Sequence, residues 1–291
     1  MAQVATKHSC LKCLVGLYCA LCLTLTACTE NGTSNLGVYE YPPRDAIMAC
    51  KPSTRTGPAG ATDGERTAHS IRYNVRTPAN YDPRVAHPLL MVYAPAGLSA
   101  AASERFTGLT TIATSAGFVV AYADHVRNSI PVIKELSTIP GLVAKKWCID
   151  ERRIYLTGHS DGGTVALAIS ILEETKHIPA AIAPSAAGFT KADLAKFKCR
   201  TPLPVTIMHS AKDTLFPGFG AEAAAWWAAC NQCDPIPGKQ MDNGCVAYPN
   251  CADGVITQYC EGLEHHAKWL SLNQSIVDFF SSVDVALRVL D

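Results

Sequence analysis

The sequence predicts an α/β domain, with a mostly parallel central sheet and helices on both faces. Three observations carry this reading. Short apolar runs recur along the chain and alternate with stretches of helical character. The runs at 88–93, 117–122 and 203–208 are apolar almost throughout, as strands covered on both faces require. Gly158-His159-Ser160-Asp161-Gly162 lies between a strand-like run, 153–157, and a helix-like run, 163–169. Small residues around a serine in that setting allow a strained turn that lifts the hydroxyl clear of a sheet.

The elements follow in order. Residues 69–76 alternate apolar and polar side chains and read as an early antiparallel strand. Residues 88–93 form a central strand, 101–116 a helix, 117–122 the next buried strand and 130–146 another helix. The strand at 153–157 then leads through the turn at Ser160 into its helix. Strands are expected at 180–184, 203–208 and 255–259, and an amphipathic helix at 270–287 closes the chain. The stretch 230–251, rich in Gly, Pro and Asn, is the one long irregular segment.

A chain of 291 residues has room for one such domain with a large core. Acids and bases balance at a formal net charge of zero and are dispersed, so no nucleic-acid footprint is expected. The N-terminus has an exported character. Lys7 and Lys12 precede an apolar region at 14–25 that is short for a membrane span. Leu25-Thr26-Ala27-Cys28 resembles a bacterial lipobox, which implies cleavage before Cys28 and lipidation of that residue. Acyl chains contribute about 0.8 kcal/mol per buried methylene, enough for several chains to hold a protein on a membrane. The plain alternative is an ordinary signal peptide cut nearby. The expected organisation is a lipoprotein signal peptide at 1–27, a flexible tether at 28–45 and a catalytic domain at 46–291. That domain would be a monomer, anchored at the cell envelope or secreted.

Of the thirteen cysteines, Cys50, Cys148, Cys199, Cys230, Cys233, Cys245, Cys251 and Cys260 lie beyond the leader and Cys28. An even set in an exported chain is expected to form disulfides. The spacing Cys230-x-x-Cys233 would suggest metal or redox chemistry in a cytosolic protein, but here a structural disulfide role is the simpler expectation.

Ser160 is the candidate nucleophile. A serine hydroxyl needs a base, and the base needs an orienting acid. Asp213 follows the run 203–208, at what would be the C-terminal end of a strand, where functional groups gather in open α/β sheets. The base is His265 or His266, between the last strand and the final helix, and periodicity does not choose between them. His159, His209 and His125 are weaker candidates, with His209 better placed to anchor the acid loop. The oxyanion donors are expected to be the N–H groups of Asp161 and Ala96, since Pro95 has none. Trp227 and His159 are candidate substrate contacts, although a Trp in an Ala-rich helix is also a natural core residue. No metal site and no cofactor are expected.

With these residues in place, the chain resembles the α/β-hydrolase group that holds feruloyl esterases, acetylxylan esterases and polyhydroxybutyrate depolymerases. The likeness runs from about residue 69 to 280. Its most specific part is Cys148-Ile149-Asp150 through Arg153-Ile154-Tyr155 to Gly158-His159-Ser160-Asp161-Gly162-Gly163. Trp227 followed by Asn231-Gln232-Cys233 matches a second family feature. The series Cys245-Val246-Ala247-Tyr248, Cys251 and Cys260-Glu261 resembles the feruloyl-esterase branch, and its spacing assigns the family histidine to His266. The resemblance implies an ester hydrolase working through Ser160, His266 and Asp213 on a plant polysaccharide ester, or on a polyester oligomer. The family's usual His-Gly ahead of the oxyanion donor is here Ala94-Pro95. The rival reading is a non-catalytic surface-binding lipoprotein on a hydrolase scaffold.

Overall fold

In the computed structural model, which describes residues 35–43, 48–50 and 55–283, nine strands form one sheet. The proposed leader and Cys28 lie outside the described residues. In chain order the strands are β1 (Ala61–Arg66), β2 (Arg72–Arg76), β3 (His87–Tyr93), β4 (Val119–Ala123), β5 (Ile149–His159), β6 (Ala181–Ser185), β7 (Val205–Ser210), β8 (Cys245–Ala247) and β9 (Thr257–Gly262). Across the sheet the order is β1-β2-β4-β3-β5-β6-β7-β9-β8. The six strands from β4 to β9 in that order run parallel, with antiparallel strands added at both edges. The chain crosses from β4, on one side of β3, to β5 on the other. Such a switch in direction opens a crevice at the C-terminal ends of the strands.

Every residue of β3, β4, β6 and β7 is buried, which accounts for their largely apolar character. Helices α1 (Ala100–Thr107), α2 (Thr110–Ser115), α3 (Ile130–Leu136), α4 (Ile139–Lys146), α5 (Asp161–Ile171), α6 (Lys191–Leu194), α7 (Phe219–Cys230) and α8 (Asn273–Ser281) fill the connections. Two core clusters result. Leu89, Met91 and Leu156 belong to one and Leu90, Val92 and Tyr155 to the other, so alternate side chains of the same strands feed opposite faces.

Several elements differ from expectation. The helix expected at 101–116 is two helices, because Gly108 turns into the left-handed region at φ 61° and its N–H caps the Glu104 carbonyl. The helix expected at 130–146 also divides, at Ser137–Thr138, and Pro140 starts the new first turn. The first expected strand shortens to Arg72–Arg76, because Ser70 adopts φ 68° in a turn. β1 and β8 are additions. Ala61–Arg66 is mostly exposed and β8 has three residues, so neither carries a strong apolar signal. Residues 35–43 also belong to the packed domain rather than to a tether. The Gly37 N–H donates to Thr114 Oγ1 at 2.7 Å, and Asn80 exchanges hydrogen bonds with both backbone groups of Tyr39.

A buried ion pair joins the β2 edge to the helices beyond β3. Arg76 grips Glu104 through Nε and Nη2 at 2.8–3.1 Å, while Thr110 donates to the same carboxylate. All eight domain cysteines are paired, as Cys50–Cys148, Cys199–Cys230, Cys233–Cys251 and Cys245–Cys260. Cys230 and Cys233 therefore bind different partners, and the last two bridges staple the irregular segment. Among the described residues no helix is long and apolar enough to cross a membrane.

Cys50–Cys148 closes a separation of 98 residues and ties the segment ahead of β1 to the start of β5. Replacing both cysteines by alanine is expected to lower unfolding free energy by about 2–4 kcal/mol, mainly by freeing the unfolded chain. Denaturant midpoints with the other three bridges intact measure this, and an unchanged midpoint would refute it.

Candidate active site

Ser160 sits between β5 and α5 with φ 55° and ψ −117°, a conformation an L-residue seldom adopts. Three glycines make the turn possible. A Cβ on Gly162 would lie 2.0 Å from the Tyr93 carbonyl oxygen, and one on Gly163 would lie 2.3 Å from that of Ser185. A Cβ on Gly158 would meet the Gly162 backbone at 2.5 Å. The Ser160 N–H donates to the Ser185 carbonyl at 2.9 Å, which pins the turn to the end of β6.

The structure brings Ser160, His266 and Asp213 into one line. His266 Nδ1 lies 2.6 Å from Asp213 Oδ2, and His266 Nε2 lies 2.8 Å from Ser160 Oγ. A carboxylate only accepts, so Nδ1 carries the proton and Nε2 accepts from the serine hydroxyl. His265 is exposed, whereas His266 is half-buried with the edge of Phe216 against its ring at 5.0 Å.

Asp213 follows β7 and is buried. Its Oδ1 accepts the N–H groups of Leu215 and Phe216, both at 2.9 Å. Burial works to raise its carboxyl pKa. Hydrogen bonds from His266 and the Phe216 N–H outweigh it, so the group stays below the ordinary carboxylate value. His209 donates through Nε2 to the Phe216 carbonyl at 2.8 Å and so closes the turn that carries Asp213.

His159 requires a correction. It is 2 % exposed and is not placed to contact substrate. Its Nε2–H donates to the His266 carbonyl at 2.6 Å, and its Nδ1 accepts from Ser185 Oγ at 3.0 Å. Burial pushes its pKa down to about 4, against an ordinary 6.5. It is a neutral brace beneath the His266 backbone. Trp227 also fails as a substrate contact, because it is fully buried in the core while its neighbour Trp226 stays partly exposed.

Asp161 and Ala96 lie at the start of α5 and in the loop between β3 and α1. Asp161 is the first residue of α5, where an N–H has no intrahelical acceptor. The Ala96 N–H makes no hydrogen bond among the described residues. The segment after β4 links the start of α5 to that loop, an arrangement the sequence reading missed. His125 Nε2 meets Asp161 Oδ2 at 2.9 Å, and the His125 N–H donates to the Leu98 carbonyl at 3.0 Å. Asn128 donates to the Asp161 carbonyl at 3.2 Å, and Asp124 accepts the Ala100 N–H at 2.7 Å. The available signal was position, since His125 lies just past a strand's C-terminal end. Among the described residues no group of three or more His, Cys, Asp and Glu side chains is arranged to hold a metal ion.

No family model matches the chain. Feruloyl esterase B of Piromyces equi is 25% identical over 225 residues, which cover 64% of this chain and 40% of that protein. The chain thus spans about two fifths of the length of that relative. Among solved structures, an acetyl xylan esterase from Aspergillus awamori matches with a TM-score of 0.56 at 14% identity, covering 77% of this chain and 99% of that one. An esterase structure from Rhizomucor miehei matches with a TM-score of 0.56 at 13% identity, over 81% of this chain and 87% of that one. The chain has the α/β-hydrolase fold, and it resembles the group that holds the feruloyl and acetyl xylan esterases.

Proposed function

We propose that the protein is an exported serine hydrolase of carboxylic esters. The observation that carries this reading is the unbroken line from Ser160 through His266 to Asp213, at the C-terminal ends of β5, β9 and β7. Ser160 Oγ attacks the ester carbonyl as His266 Nε2 takes its proton. Asp213 holds the ring and stabilises the imidazolium that forms. The N–H groups of Asp161 and Ala96 receive the developing oxyanion. His266 then protonates the departing alcohol, and a water activated by the same histidine releases the acid from Ser160.

A feruloyl or acetylated plant polysaccharide is the substrate class favoured by the likeness to the Piromyces feruloyl esterase, with a polyester oligomer as the alternative. Four disulfides support folding in an oxidising compartment. Attachment through Cys28 is the proposed means of retention at the envelope. Intact hydrogen bonding along the Ser160 line argues against a scaffold that only binds.

Hydrolysis of methyl ferulate, acetylated xylan, nitrophenyl esters and polyhydroxybutyrate, side by side, tests the substrate class. Ser160→Ala is expected to lower kcat by about 10⁶, the scale seen when a hydrolase of this mechanism loses its nucleophile. A mutant that kept most of its esterase activity would refute the role. His266→Ala should be similarly impaired, while His265→Ala should stay near the parent rate. The reverse pattern would move the base to His265.

His159 generates a separate expectation. Its folded pKa lies near 4 and its unfolded value near 6.5, so between them the unfolded chain binds more protons. Its contribution to stability is therefore full above about pH 6.5 and is lost as pH falls towards 4, by an amount on the order of 3 kcal/mol. His159→Asn should flatten the stability–pH curve between pH 4 and 6.5. A curve of unchanged slope would show that His159 is not the group responsible.

A further inference from the structure

Beside His266 lies a groove of about 580 Å³ with no acidic side chain in its lining. One wall is the C-terminal turn of α1, with Arg105 and Phe106. The other is the segment that runs from His266 into α8, with Lys268, Trp269 and Asn273. Phe106 and Trp269 are half-buried, while Arg105 and Lys268 are exposed on the rim.

The walls are fixed relative to one another. Trp269 Nε1 donates to Asn273 Oδ1 at 2.7 Å, and Asn273 Nδ2 donates to the Thr107 carbonyl at 2.8 Å. One asparagine thus sets the indole and ties it to the end of α1. The side chains of Arg105 and Lys268 make no ion pair or hydrogen bond among the described residues, although the Lys268 backbone N–H donates to the His265 carbonyl. Elsewhere Arg72, Arg84, Arg152, Lys134 and Lys146 each hold a carboxylate. The groove therefore presents two cationic side chains that are not held in ion pairs.

Its position gives it a direction. The Phe106 ring lies 5.2 Å and the Trp269 ring 6.2 Å from His159, whose ring lies 5.4 Å from His266. In the proposed reaction His266 must reach the leaving oxygen, so the alcohol half of the ester departs on the His266 side. Ala267, Lys268 and Trp269 are the next residues of the chain.

We propose that this groove is the subsite for the alcohol half of the ester, and that it takes a sugar bearing a carboxylate, a uronosyl unit. The inference rests on the ester-hydrolase reading and adds the class of leaving group. Phe106 and Trp269 supply flat apolar faces for the C–H face of the sugar ring. Arg105 offers a planar fork of donors to the carboxylate, and Lys268 adds a second, mobile charge.

Two measurements test this. In the first, uronosyl and neutral glycosyl esters of one acyl group are compared with the parent protein and with the double variant Arg105→Gln, Lys268→Gln. The parent should favour the uronosyl ester in kcat/KM by about five- to tenfold, chiefly through KM, the scale of two exposed charge pairs. This preference should shrink as salt is added. In the double variant the ratio should fall to about one. Equal kcat/KM for both esters in the parent, or an undiminished ratio in the variant, would overturn the proposal.

The second measurement needs no turnover. Calorimetric titration of Ser160→Ala with a uronosyl oligosaccharide and its neutral counterpart should show tighter binding of the first. Equal binding with nitrophenyl-ester turnover intact in the parent would remove the groove and leave the hydrolase reading standing. Preferential uronosyl binding without any ester turnover would remove the hydrolase reading and keep the anionic sugar site.

Discussion

The active-site geometry depends on how closely α5 is pressed against the ends of β3 and β6. At Gly162 and Gly163 the helix backbone comes so near the carbonyls of Tyr93 and Ser185 that no side chain fits. That contact forces the positive φ of Ser160 and aims its hydroxyl out of the sheet. The other partners are positioned from the same end of the sheet, by β7 for Asp213 and β9 for His266. A larger residue at either glycine would push α5 off the sheet and move the serine away from its base. Elbow strain is thus held in place by the best-buried part of the molecule.

Electrostatic roles divide cleanly among the buried groups. Asp213 stays ionised because two backbone N–H groups and His266 face its carboxylate. Burial lowers the pKa values of His159 and His209, and neutral rings there brace main-chain carbonyls without adding charge beside His266. The contact of Asp161 with His125 connects the start of α5 to the loop after β3, the two places that carry the proposed oxyanion donors.

Much of this was legible from residues alone, for identifiable reasons. The buried parallel strands announce themselves by unbroken apolar runs, and Ser160 by its glycines. Asp213 was legible as an acid just past such a run. His265 and His266 were not separable by periodicity, because a loop has no period; likeness to a family chose the residue that the structure turns inward. Trp227 misled because Ala-rich α7 is apolar apart from Glu222, so only packing shows which indole enters the core. His159 misled because adjacency to the nucleophile does not reveal which side of the sheet a side chain faces. Disulfide partners could not be read, since cysteine spacing does not encode which cysteines meet in space.

The Ser160–His266 hydrogen bond spans 106 residues of sequence, and the Asp213–His266 bond spans 53. The first cannot close until β5, β6, β7 and β9 have docked in register, and the second needs β7 and β9. Such non-local, parallel pairing is slow to form because chain entropy must be lost before contacts reward it. An intermediate with native helices but an undocked β9 has its serine and acid without a base. Turnover would then report completion of the sheet, and refolding followed by turnover should lag refolding followed by helix content.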